Sequence, residues 1–322
     1  MNTFQFEKEM SDNDVFDKIN DWISTPELME LIHSFRGDFE SNTPIVEQIN
    51  ELIDFSDVWD FRKKQKKDSN SNENARWTIE ENQLSEKQKN LTLDAAKKLG
   101  LIGCSVPSQK EYDYIFVLGG ARMSCLFRMQ YAKEICAQYG VSPKAIVGLA
   151  GMREVMESER SATDTYAPDA KTEFDLMKSA LKKVFGSLKI TEKQEHIFKN
   201  SNESWAIQRY SYDIPVILLA APSSEPEKRR ANTADTFAFF REQLNAGKGK
   251  SILLVTSQIY VPYQQLEAIR ILGLPYRHSL ETIGFLNEWS AGLQGLQKPE
   301  NYLQEIRSVL QAMGRLVKIY CA

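Results

Sequence analysis

Four short apolar runs, each giving way to small residues, constrain this chain more than anything else in it. They are Tyr114-Ile115-Phe116-Val117-Leu118 before Gly119-Gly120, Ala145-Ile146-Val147 before Gly148, Ile214 to Ala221, and Ile252-Leu253-Leu254-Val255. A strand apolar at every position is buried on both faces, which is the habit of parallel sheets covered by helices. Helical patterns fall between the runs: Arg122 to Tyr139, Thr172 to Phe185, Asn232 to Leu244, Pro262 to Leu272, and an amphipathic stretch from Tyr302 to Ile319. A further strand is expected near Trp205 to Tyr210. This alternation, with right-handed crossovers, predicts an α/β fold: a doubly wound, mostly parallel, Rossmann-like sheet. Its four main strands are expected to run parallel over about 114–118, 144–148, 214–220 and 251–256.

Residues 1–110 read differently. Val15, Ile19, Trp22 and Ile23 have helical spacing, Thr25-Pro26 restarts a helix, and Ile45, Ile49, Leu52 and Ile53 mark a third. Ser85 and Gln88 make a capping box for a helix ending near Gly100. Between these, Arg62 to Arg76 holds almost no apolar residue, and a mobile loop is expected over 63–75. The expected organisation is a helical N-terminal region over 1–110 and a ligand-binding α/β domain over 111–322 that closes with the C-terminal helix.

Charge separates the two regions. The first 110 residues hold 14 Lys/Arg against 21 Asp/Glu, and the remainder hold 26 against 23. A total of −4 gives no general pull toward nucleic acid or anionic membrane, so neither is expected as a partner. Cys104, Cys125, Cys136 and Cys321 form no CxxC pair and have no histidine at ligand spacing, so neither disulfides nor a metal site are expected. The N-terminus has no apolar signal core and no run reaches the ~18 residues of a membrane span. A cytoplasmic protein is expected; its oligomeric state is not legible.

In sheets of this kind ligands bind outside the carboxyl ends of the strands. After the first strand, Gly119 and Gly120 allow close backbone approach, and Arg122 at a helix start suits a phosphate or carboxylate. This is not GxGxxG, so the dinucleotide fingerprint is absent. After the second come Gly148 and Gly151, with Glu173 in the first turn of the next helix. After the third come Arg230, Asn232, Thr233 and Asp235. Asn232 and Asp235 are explained by capping alone, whereas arginines before a helix N-terminus oppose its dipole and call for an anion. After the fourth, Thr256, Ser257 and Tyr260 offer hydroxyls. No Ser-His-Asp or Cys-His arrangement can be drawn.

Taken in order, Ile115–Gly120, Ile146–Gly151, Glu173, Asn232-Thr233-Ala234-Asp235 and Leu254-Val255-Thr256-Ser257 with Pro262 resemble the YdcF/SanA/ElyC-like family of bacterial α/β proteins, over about residues 112–275. Tyr260 and Tyr263 stand where that family has His and Arg, Ala121 replaces a glycine, and Thr236 replaces an Asn. The resemblance implies a Rossmann-like fold and a nucleotide-type ligand such as S-adenosylmethionine, with no defined reaction.

The functional expectation is a binding domain for a nucleotide-like or other small anionic metabolite, with transferase activity conceivable. The alternative is a non-catalytic sensor or scaffold whose pocket has degenerated, which Tyr260 and Tyr263 favour.

Overall fold

Strand β1 (Glu111–Leu118) sends Ile115 and Val117 into one core and Phe116 and Leu118 into another, which is why its sequence is apolar without alternation. The computed structural model describes residues 4–39, 43–61, 84–285 and 297–320. The loop expected over 63–75 and Cys321 lie outside the described residues. Among those described, β1 joins β2 (Ser142–Gly151), β3 (Lys189–His196), β4 (Trp205–Ser211), β5 (Val216–Ala221), β6 (Ser251–Ser257) and β7 (Ser279–Phe285) in one mixed sheet of order β3-β4-β5-β2-β1-β6-β7. The four strands expected to be parallel are so: β5, β2, β1 and β6 run together, and β7 continues them. β4 pairs antiparallel with β5, and β3 antiparallel with β4.

Two strands went unforeseen for physical reasons. β3 reads Lys-Ile-Thr-Glu-Lys-Gln-Glu-His, and every residue in it is exposed at the sheet edge. It lacks the burial that would leave an apolar pattern. β7 carries Glu281 and Thr282 mid-strand, buried polar residues that hide its apolar character.

Helices cover both faces. α5 (Ser124–Tyr139) and α6 (Glu173–Phe185) pack on the side of Ile115, Val117 and Leu218. The other face carries α7 (Thr233–Leu244), α8 (Val261–Ala268) and α9 (Pro299–Tyr320). The N-terminal helices α1 (Asp12–Ile23), α2 (Pro26–Ser34), α3 (Ile45–Phe55) and α4 (Glu86–Lys98) join this second core. α9 packs directly on α3, α4 and α8. Near the N-terminus, Phe6 exchanges backbone hydrogen bonds with Leu280 of β7 at 3.1 and 2.7 Å, closing part of that edge. No helix among the described residues is long and apolar enough to cross a membrane.

The strand order reverses at β1. The chain places β2 beside β1, crosses to the far edge at β3, works back through β4 to β5 beside β2, then passes to the other side of β1 for β6 and β7. Because α5 and α8 follow β1 and β6 on opposite faces, the loops after these two strands part and leave a crevice.

Candidate functional site

The crevice is a cleft of about 1040 Å³ at the carboxyl ends of β1, β2 and β5, bounded further by the turn after β6 and the first turns of α9. It brings together nine of the thirteen residues proposed from sequence: Gly119, Gly120, Arg122, Gly151, Glu173, Arg230, Asn232, Thr233 and Tyr260.

Four are placed elsewhere, each for a visible reason. Gly148 is mid-sheet, between Val117 and Leu218, where a Cβ would meet Leu218 Cδ2 at 2.6 Å. Its smallness serves packing. Thr256 is fully buried within β6. Ser257 is buried, and its Oγ accepts from Arg128 Nη2 at 3.3 Å. Asp235 is taken up internally. It accepts from Asn232 N at 2.8 Å and Ser224 N at 3.2 Å, and pairs with Arg229 at 2.5 Å. Burial opposes its ionisation, but the Arg229 hydrogen bond and these N–H groups hold the carboxyl below its ordinary range. This also corrects the argument made for an anion at that helix start: Asp235 and Glu225 already offset Arg229.

The glycines after β1 have a different role from the one expected. A Cβ on Gly119 would collide with Glu173 Oε1, and one on Gly120 would come within 3.1 Å of Arg128 Nη1. They make room for two side chains rather than only for a ligand. Arg128, 2% exposed, donates to the carbonyls of Leu118 and Gly119, and its guanidinium lies 5.7 Å from the Tyr260 ring centroid. It ties the β1 turn to the β6 turn. Sequence reasoning missed it; the available signal was an arginine set among Phe127, Met129 and Ala132 on an otherwise buried helix.

A second missed element is a buried ion cluster. Arg153 donates to Glu159 at 2.6 and 3.1 Å and to Glu173 at 3.1 Å. Glu159 is 0% exposed and also accepts from Met156 N and Arg122 N. Burial works against the charge on Arg153, and the two carboxylates more than offset it. Glu173 therefore does more than meet a helix dipole: it links α6 to the loop after β2.

Arg122 is one of three left-handed arginines among the described residues, with Arg36 and Arg277, and the one that borders the cleft. Its backbone is left-handed, φ 54°, a conformation that costs an L-residue roughly 1–2 kcal/mol. Hydrogen bonds on both sides fix it there: its N–H donates to Glu159 Oε1 at 3.1 Å, and its carbonyl accepts from Tyr166 Oη at 3.0 Å. Its guanidinium makes no hydrogen bond or ion pair with the described residues, and Nε is shut off from solvent without a partner.

Cys125, one turn into the same segment, is no nucleophile at neutral pH. It is fully buried, its thiol donates to the Gly120 carbonyl, and burial with the nearby Glu173 charge pushes it up to about 12.

The comparisons with known proteins point away from the YdcF/SanA/ElyC-like resemblance. Residues 6–100 match the family described as the Rv3785 N-terminal domain. The uncharacterized protein Rv3785 of Mycobacterium tuberculosis (strain H37Rv) is 32% identical over 324 residues, covering 94% of this chain and 90% of its own length. The uncharacterized protein Mb3814 of Mycobacterium bovis matches to the same extent. No solved structure matches. The similarity runs across the N-terminal helices as well as the sheet, whereas the earlier resemblance stopped at short strand-end segments. The S-adenosylmethionine expectation rested on that resemblance and loses that support with it. The chain belongs to the Rv3785 family.

Proposed function

We propose that this chain binds a small anionic metabolite in the cleft, with Arg122 as its principal contact and Arg230, Asn232 and Thr233 as a second. In this reading the sheet is a doubly wound, Rossmann-like one, residues 111–322 carry the ligand, and residues 1–110 brace them. Cys125, buried as a small hydrophobe on a helix, suits a reducing, cytoplasmic setting.

The observation that carries the reading is Arg122. A left-handed backbone held by two hydrogen bonds spends stability to aim a cation that the described residues leave unpaired. Strain of that kind is retained where function requires it. The neighbouring arginines given partners here, Arg153 and Arg229, are offset by carboxylates. The N-terminus of α5 adds support, because its N-cap Met123 supplies no side-chain bond and the helix dipole favours an anion there.

The test is calorimetric titration of the full chain with inorganic phosphate, pyrophosphate and citrate. At least one should bind, and Arg122→Ala should weaken it by about 1.5–3 kcal/mol, the range for a hydrogen bond to a charged group. Equal binding by wild type and Arg122→Ala, or no binding of any of the three at millimolar concentration, would sink the proposal.

A further inference from the structure

The wall of the cleft contributed by α8 and α9 carries a second kind of unpaired group. Gln264 and Gln304 both border the cleft, and they are only 7% and 2% exposed. Each has its carboxamide oxygen closed off from solvent with no hydrogen-bond partner among the described residues. Nor does either carboxamide nitrogen make a hydrogen bond to them. Buried polar side chains in native proteins are overwhelmingly paired, so two such carboxamides bordering one cleft need an explanation. Gln265, one residue away, is satisfied: it donates to the carbonyls of Phe4 and Leu280 and accepts from Thr282 Oγ1. Gln258 leaves its oxygen without a partner among the described residues but uses its nitrogen, donating to the Gly100 carbonyl.

A carboxamide offers one acceptor and two donors in a plane. Its natural complement is a planar group with an adjacent donor and acceptor, as on the edge of a nucleobase. A small inorganic anion has no planar edge with a donor beside an acceptor, so it cannot pair with both the oxygen and the nitrogen of each carboxamide as a base edge can. The same wall also supplies two aromatic rings, Tyr260 and Tyr263. Such rings are stacking surfaces for a base.

We infer that the anion bound at Arg122 is the phosphate of a nucleoside monophosphate, whose base edge is read by Gln264 and Gln304. This rests on the anion reading above and adds a ligand class to it. The cleft volume, about 1040 Å³, accommodates a ligand of that size.

The experiment compares AMP, GMP, CMP and UMP with ribose 5-phosphate, which keeps the anion and lacks the base, on the full chain. At least one nucleotide should bind tenfold or more tighter than ribose 5-phosphate. Gln264→Leu and Gln304→Leu should each remove most of that advantage and leave ribose 5-phosphate binding unchanged. Arg122→Ala should weaken both. The glutamine variants should melt no lower than wild type, because replacing an unpaired buried polar group by an apolar one of similar size is neutral or stabilising. If one fails to fold, Gln264→Met or Gln304→Met replaces it. Ribose 5-phosphate binding as tightly as every nucleotide, or leucine variants retaining the nucleotide advantage, would overturn the base assignment and leave the anion site standing. Nucleotide binding indifferent to Arg122→Ala would overturn the anion site instead. Absence of binding by all five compounds would overturn the nucleotide assignment, while the anion site stands or falls on the phosphate, pyrophosphate and citrate titrations.

Discussion

The two ends of the parallel sheet treat polar groups in opposite ways. At the amino ends, pairing is local and close. Glu281 accepts from Ser108 N and Oγ and from Tyr112 Oη at 2.5–3.1 Å. Asp113 accepts from Lys144 Nζ and Ser251 N, and His278 Nδ1 accepts from Lys250 N at 3.0 Å. At the carboxyl ends, the guanidinium of Arg122 and the carboxamides of Gln264 and Gln304 make no bond to the described residues. Sheet geometry alone does not produce that asymmetry, since both ends expose comparable strand termini. One end has been built for stability. The other keeps hydrogen-bonding capacity in reserve, and it does so beside a cleft.

The contrast breaks most visibly at Arg153, a cleft residue that behaves like one from the other end. Arg153→Ala would strand Glu159 and Glu173 without their cation, and removing one partner of a buried ion pair costs about 3–5 kcal/mol. Urea unfolding should show the midpoint falling at unchanged slope. A loss under 1 kcal/mol would mean that the cluster is held by its other hydrogen bonds.

A smaller effect is expected from pH at the sealed end. His278 is pushed down to about 4, first by burial and then by the Lys250 charge. The unfolded chain therefore takes up the proton first as the pH falls. This contribution is complete above the ordinary histidine value of 6.5 and is lost between there and about 4. Stability at pH 5 should lie about 2 kcal/mol below that at pH 7.5. His278→Gln should flatten the curve over this window. A wild-type curve already flat there would show that the imidazole is not kept neutral by the fold.

The smallest effect has the opposite sign. Arg122→Gly removes the penalty of a left-handed backbone and should gain up to about 1 kcal/mol, visible as a higher melting temperature. The Glu159 and Tyr166 bonds would survive, being made to the backbone. A destabilised Arg122→Gly would show that the guanidinium supports the fold and would dissolve the contrast between Arg122 and Arg153.

The parallel strands and capped helices could be read from the chain because burial on both faces leaves unbroken apolar runs, and because Ser85/Gln88 and Asn232/Asp235 form the capping boxes their spacing implied. β3 and β7 could not, one being wholly exposed and the other holding Glu281 inside the sheet. The strand-end rule found nine residues of the cleft lining but overreached at Thr256 and Gly148, where a residue near a strand end faces packing instead. Gln264 and Gln304 were invisible to it. They lie inside helices, and only their unpaired burial distinguishes them from the satisfied Gln265.

The docking of α9 against α3 and α4 has a consequence in time. Residues 12–98 leave the ribosome about two hundred residues before Pro299. At roughly 5–20 residues per second, their partner helix follows some 10–40 s later. For that interval Ile49, Leu52 and Ala95 have no Leu310 or Met313 to cover them. The nascent helices must therefore be shielded by a chaperone or by transient contacts with one another. Among the residues lining the cleft, the first turns of α9 are the last to emerge.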